Sequence, residues 1–162
     1  DVQFFLPRAH TIDRSELEAF IKERKVPVTI TENHTYDLMQ ICDVCLAASG
    51  TATLETAMME LPTVLLYKVS PITYGIGKMV VNLTHVGLPN IVAGKEVIPE
   101  LLQGDVSVDS IVNTVLPLLD DLHINQSMRT ELRGVKEKLG ESGAVNRVAQ
   151  LIYDLGKEKI NE

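Results

Sequence analysis

The stretch DVCLAASGTATLETAMMEL, residues 43–61, holds an apolar run (Val44, Cys45, Leu46, Ala47, Ala48), a turn of small residues (Ser49, Gly50, Thr51) and then a helical pattern. Strand, small turn and helix, in that order, build an anion site. A helix that opens on Ser-Gly-Thr presents unpaired backbone N–H groups and the positive end of its dipole, and small side chains let a phosphate come close. Open α/β sheets bind ligands at the carboxyl edge of their strands, where this turn falls. Glu55 stands four residues after Thr51, one place too far for a capping box. It either complements the helix dipole or accepts hydrogen bonds from a ribose diol, the role an acid plays in nucleotide folds. Leu54, Ala57, Met58 and Leu61 recur at i, i+3, i+4 and i+7, which predicts the buried stripe of the helix.

Working outward, strands and helices alternate. Strands are predicted over 2–6, 26–31, 44–48 and 63–67, with Pro7 closing the first and Pro62 stopping the helix before the last. Between them fall helices over 15–25, with Asp13 or Ser15 as cap and Leu17, Phe20 and Ile21 as apolar face, and over 36–42. Residues 71–82 are helical in pattern and apolar, with Ile72, Ile76, Met79, Val80 and a single Lys78; they suit either the core or a lipid surface. An extended stretch over 86–91 ends in a turn, and a helix starts at 99–103. Three more helices follow over 106–119, 125–139 and 144–155, the last two split at Gly140 and Gly143. The expected fold is α/β, a Rossmann-like parallel sheet with right-handed crossovers and helices on both faces, in one domain over 1–162 with a helical C-terminal part over 107–155.

With 162 residues, 45% hydrophobic and 23% charged, the chain is long and apolar enough for one globular core. A net charge of −7 without a basic run argues against nucleic acid as a partner. Cys42 and Cys45 form a C-x-x-C, but they fall at a helix end and inside a strand, whereas a redox pair needs a helix N-terminus. His10, His34, His85 and His123 are scattered without ligand spacing, so no metal site and no cofactor are expected, only reduced cytoplasmic thiols. The longest run free of Asp, Glu, Lys and Arg, 79–94, is too short and too polar to span a bilayer. The chain begins Asp-Val-Gln-Phe-Phe-Leu-Pro and reaches a strand almost at once, so it reads as a piece of a longer protein.

Leu88-Pro89-Asn90-Ile91 arrives on the return from the next α/β unit, which predicts that it shares the sheet edge with Ser49. The Asn90 amide offers donors and an acceptor for a diphosphate or sugar hydroxyl, or it simply turns the chain. Glu96, Glu100 and Gln103 follow; acids at a helix start ordinarily serve its dipole.

Three blocks, Ala48 to Glu55 (ASGTATLE), Leu61 to Lys68 (LPTVLLYK) and Gly87 to Gln103 (GLPNIVAGKEVIPELLQ), resemble the lipid-A-disaccharide synthases, bacterial glycosyltransferases of the two-Rossmann-domain GT-B architecture. The Ser-Gly-Thr-x-x-x-Glu pattern resembles several sugar-nucleotide enzymes, whereas the third block is far more specific. The resemblance implies the donor-binding half of an inverting enzyme that joins UDP-2,3-diacylglucosamine to 2,3-diacylglucosamine 1-phosphate, releases UDP and uses no metal. Carried over by motif, Ser49, Gly50 and Thr51 hold the diphosphate, Glu55 the ribose diol, and Asn90 the diphosphate or sugar. Tyr67, Lys68, Glu96 and Gln103 fall in matching motifs.

Against the family pattern, the acceptor domain with its acidic catalytic residue and the first strand of the donor domain are absent. The chain is therefore expected to be inactive alone and to hold no catalytic residue. In a doubly wound sheet the first strand is central, so its absence exposes pairing edges. Self-association is expected through those edges or through the C-terminal helices over 125–155, and the intact enzyme is expected in the cytoplasm, peripheral at the inner membrane. The alternatives are a non-catalytic nucleotide-binding or assembly module, or another UDP-N-acetylglucosamine-type enzyme (a peptidoglycan glycosyltransferase or an epimerase), whose patterns lack the third block.

Overall fold

Apolar runs bounded by proline, glycine or polar turns become parallel strands, and the segments between them become helices. The computed structural model describes residues 2–70, 84–140 and 143–158. In chain order these form β1 (Phe4–Pro7), α1 (Arg14–Arg24), β2 (Val28–Thr31), α2 (Thr35–Ile41), β3 (Cys45–Ala48), α3 (Thr51–Met58), β4 (Thr63–Tyr67), α4 (Leu88–Ala93), β5 (Glu100–Leu102), a 3₁₀ turn (Gln103–Asp105), α5 (Val108–Asp120), α6 (Leu122–Leu139) and α7 (Ala144–Glu158). The predicted strand at 63–67 matches β4, and the other strands shift by a residue or two. The apolar segment over 71–82 lies outside the described residues.

Every strand pairing is parallel, as the alternation requires. Among the described residues there are two sheets instead of one, β1-β2 and β3-β4-β5. The registers run from Phe4↔Val28 to Pro7↔Thr31, from Cys45↔Thr63 to Ala48↔Leu66, and from Leu65↔Glu100 to Tyr67↔Leu102. A doubly wound order 3-2-1-4-5-6 divides in this way when its first strand is left out, because that strand joins the two halves.

Two expected elements are corrected. The extended stretch over 86–91 is helical from Leu88, because Pro89 suits the first helical turn and Gly94, at φ +73, supplies the left-handed stop. The helix expected from 99–103 is instead β5, since the N–H of Leu65 donates to the Pro99 carbonyl at 2.9 Å and draws the segment alongside β4. Pairing with a neighbouring strand overrides the local pattern here. The apolar faces are corrected too. In α3 the buried residues are Thr53, Thr56 and Ala57, with Leu61 buried just beyond, while Met58 is 37% exposed. In α1 none of Leu17, Phe20 and Ile21 is buried.

The core sits on β4. Ala57, Leu65, Ile98, Leu132 and Val135 are buried together, with Val92, Ala93, Leu102 and Met128 packed around them, so α3, α4 and α6 cover one face of the strand. Polar contacts tie α6 to the amino ends of β3 and β4. Arg129 donates to the Asn125 Oδ1 at 2.8 Å, the Glu60 carbonyl at 3.1 Å and the Cys42 carbonyl at 3.3 Å, while Asn125 Nδ2 donates to the Asp43 carbonyl at 3.0 Å. Glu60, held at φ +55, also pairs with Arg133 at 2.8 Å. These braces grip the amino edge of the sheet and leave the carboxyl edge to other tasks.

Candidate functional site

At the carboxyl end of β3 the chain turns through Ser49 and Gly50 into α3. Gly50 adopts φ +151 and ψ −166, a region essentially restricted to glycine, and a Cβ there would meet nothing within 4 Å. The glycine is thus required by the backbone, and the turn faces open space. No side chain caps α3 and its first turn holds no acid. Thr53 Oγ1 donates to the Gly50 carbonyl at 2.8 Å, so this hydroxyl steadies the turn and leaves the leading N–H groups available. Glu55 is half-buried one turn into α3, and its carboxylate makes no hydrogen bond or ion pair among the described residues.

The neighbouring strands deliver further groups to the same edge. Tyr67 ends β4, half-buried against the core, and exposed Lys68 follows it. Gln103 follows β5 at φ +49, a left-handed conformation uncommon outside glycine, and its Nε2 is buried without a hydrogen-bond partner among the described residues. Buried polar atoms nearly always find partners, so an orphan amide at a strand's carboxyl end calls for an acceptor from outside. Thr31 Oγ1, at the carboxyl end of β2, is likewise without a partner. From β3 to β5 the edge spans two strand spacings, about 10 Å. Ser49, Gly50, Thr51, Glu55, Tyr67, Lys68 and Gln103 therefore gather along one edge, with N–H donors, a cation, an amide and a free carboxylate.

Two of the predicted site residues lie elsewhere. Asn90 is fully buried under the core: its Oδ1 accepts from the N–H groups of Val97 and Ile98, and its Nδ2 donates to the Ile98 carbonyl and Glu100. Glu96 precedes β5, at the amino side of the sheet, in a shallow groove of about 580 Å³ with His123, Ile124, Met128 and Glu131. Glu100, read from sequence as an acid serving a helix dipole, instead begins a strand and accepts the N–H groups of Val86 and Gly87, each at 2.9 Å. No sequence signal marks that pairing, because it depends on β5 being a strand.

The two thiols are free, and burial pushes Cys45 up to about 11, with Cys42 adding to the shift; burial and then Asp43 raise Cys42 too. Both are thiols rather than thiolates at neutral pH, which disfavours nucleophilic or redox roles. Among the described residues no helix is long and apolar enough to cross a membrane.

The family model described as lipid-A-disaccharide synthetase matches residues 1–152. Among similar curated proteins, the lipid-A-disaccharide synthase of Geobacter sulfurreducens is 43% identical over 159 residues, covering 98% of this chain and 41% of that protein. Those of Persephonella marina and Anaeromyxobacter are 39% and 40% identical, over 96% and 93% of this chain and 42% and 39% of theirs. The chain thus spans about two fifths of the length of the curated relatives it matches.

Proposed function

We propose, from the premise that this chain belongs to the lipid-A-disaccharide synthetase family, that residues 1–162 are the UDP-sugar-binding unit of a larger inverting glycosyltransferase. The donor is UDP-2,3-diacylglucosamine and the acceptor 2,3-diacylglucosamine 1-phosphate. The acceptor hydroxyl oxygen attacks the anomeric carbon, the bond from that carbon to the diphosphate breaks, UDP leaves with the electron pair, and a base takes the hydroxyl proton. Of these tasks, this edge serves the holding of the leaving group. The N–H groups at Ser49, Gly50 and Thr51 and the Lys68 ammonium receive the diphosphate, where donors set in advance against developing charge act most strongly. Glu55 accepts from the ribose diol, Gln103 donates through its unpartnered amide, and Tyr67 borders the sugar. Asn90, buried and fully hydrogen-bonded, contributes by position, and Glu96 lies toward the amino side of the sheet. The base is assigned to the part of the relatives' length that this chain does not span.

The observation that carries this reading is the orphan Nε2 of Gln103 on the same edge as the partnerless Glu55 carboxylate and the uncapped start of α3. Calorimetric titration of UDP tests it. Glu55→Ala and Gln103→Ala are each expected to weaken binding by about 10-fold, one hydrogen bond to a charged or buried group. Unchanged affinity in both variants would reject the site. Self-association is part of the proposal, through α7, whose Val145, Val148, Leu151, Ile152 and Leu155 are 53–81% exposed and form an apolar stripe. So is peripheral contact with the inner membrane, where acylated substrates reside.

A further inference from the structure

The Asn90 amide is fully committed within the protein. Its Oδ1 accepts from Val97 N–H at 2.7 Å and Ile98 N–H at 2.9 Å, and its Nδ2 donates to the Ile98 carbonyl at 2.8 Å and Glu100 Oε1 at 2.7 Å. A side-chain amide has two N–H groups and two oxygen lone pairs, so nothing remains for a ligand. Glu100 extends the connection to the N–H groups of Val86 and Gly87. One side-chain pair thus ties together the start of α4, the approach to β5 and β5 itself. Gly87 allows this closeness: a Cβ there would stand 3.0 Å from Leu65 Cδ1 and 3.1 Å from Glu100 Oε1.

β5 has three residues, paired with β4 from Leu65↔Glu100 to Tyr67↔Leu102. So short a strand has few ladder bonds of its own, so the bonds made just before it settle its register. A slip of one residue would turn its side chains to the opposite faces. The residue that follows is Gln103, with its left-handed backbone and unpartnered amide.

We propose that Asn90 and Glu100 are a positioning pair that sets β5 on β4 and so holds Gln103 at the carboxyl edge, Asn90 acting on nucleotide binding through β5 and not by touching the nucleotide. This rests on the reading of that edge as a UDP site. A swapped pair tests it. Asn90→Asp keeps the Oδ1 acceptor but removes both donations and sets a carboxylate against Glu100; Glu100→Gln added to it removes that repulsion and returns a donor facing position 90, at the expense of the Gly87 N–H, which shares Glu100 Oε1 with Asn90. UDP is titrated into the intact protein by calorimetry at a temperature where circular dichroism shows every variant folded, and amide exchange is followed at Val97 and Ile98, whose N–H groups donate to the oxygen of residue 90.

Asn90→Asp is expected to weaken UDP binding about 10-fold and to speed exchange at those amides, and the double variant to recover affinity to within about 3-fold. With Gln103→Ala already in place, Asn90→Asp is expected to cost no further affinity, because the two act in series. Recovery of exchange without recovery of affinity would mean that Asn90 touches the nucleotide, and would overturn the proposal. Unchanged affinity in Asn90→Asp despite faster exchange would overturn it as well. If the double variant recovers neither quantity, the Gln103→Ala background decides, additive losses counting against the proposal. Failure of the unaltered protein to bind UDP would instead reject the nucleotide site, and this role with it.

Discussion

Gly50→Ala isolates what the backbone of the candidate site requires. Gly50 holds φ +151 and ψ −166, and a Cβ would meet no atom within 4 Å, so its effect arises from torsional strain alone. Holding a non-glycine residue in that region costs about 1–3 kcal/mol. The alanine also stiffens the unfolded chain, which offsets about 0.4–1 kcal/mol. Taking the middle of each range, the net expectation is a destabilisation of about 1.3 kcal/mol if the turn keeps its shape. If the turn relaxes instead, stability recovers and the N–H groups of Ser49 to Thr51 swing away from the diphosphate, with about 10-fold weaker UDP binding. Gly134→Ala is the control: Gly134 lies inside α6, also with nothing within 4 Å, and alanine there should stabilise by about 0.5–1 kcal/mol. Urea unfolding followed by circular dichroism and calorimetry with UDP read both outcomes. Gly50→Ala that matches the unaltered protein in stability and in affinity would refute the claim that this turn is held in a glycine-only conformation at a binding site.

Arg129→Met removes the donor shared by Asn125, Glu60 and Cys42 and is expected to cost about 1.5–3 kcal/mol in urea unfolding, with UDP affinity unchanged because the brace lies at the opposite edge. Leu132→Ala, at a position with no exposed surface, should cost about 2–5 kcal/mol, whereas Leu151→Ala on the exposed face of α7 should stay within about 0.5 kcal/mol and instead reduce association in sedimentation velocity. Cys45 should resist iodoacetamide at pH 8 in the folded protein and react once the chain is unfolded in urea. Because its folded value is raised from 9.0 to about 11, the folded state binds that proton more tightly; the associated stability is complete below pH 9 and is lost as pH rises toward about 11, which unfolding in Cys45→Ala should fail to reproduce.

Much of the fold was legible because short-range chemistry decides it. The alternation of apolar runs with helical patterns implied parallel pairing, Asp13 capped α1 through the Ser15 N–H at 2.7 Å, and Ser-Gly-Thr marked the turn from β3 into α3. The elements around Pro89 and Pro99 were misread. In α4 the proline and Gly94 were available as start and stop signals, but β5 exists only because β4 offers it a ladder. The same holds for buried stripes. Thr53 and Thr56 look polar in sequence, yet their hydroxyls return to the carbonyls of Gly50 and Thr53 at 2.8 and 2.9 Å, which satisfies them and lets both residues be buried.

The turn that organises the chain, Ser49 to Thr51 with Glu55 beyond it, needed only the sequence, because a strand end, a glycine and a helix start are local facts with local causes. Which other residues join that turn was decided by tertiary structure. Gln103 reaches the edge, Glu96 is placed at the other end of the sheet, and Asn90 is drawn into the core, although all three fall within one block of 17 residues, 87–103. The physical reason is that a parallel strand has two ends on opposite sides of the sheet: once β5 pairs with β4, the residues before and after it are separated by the length of the strand, and spacing along the chain no longer tells which of them share a site.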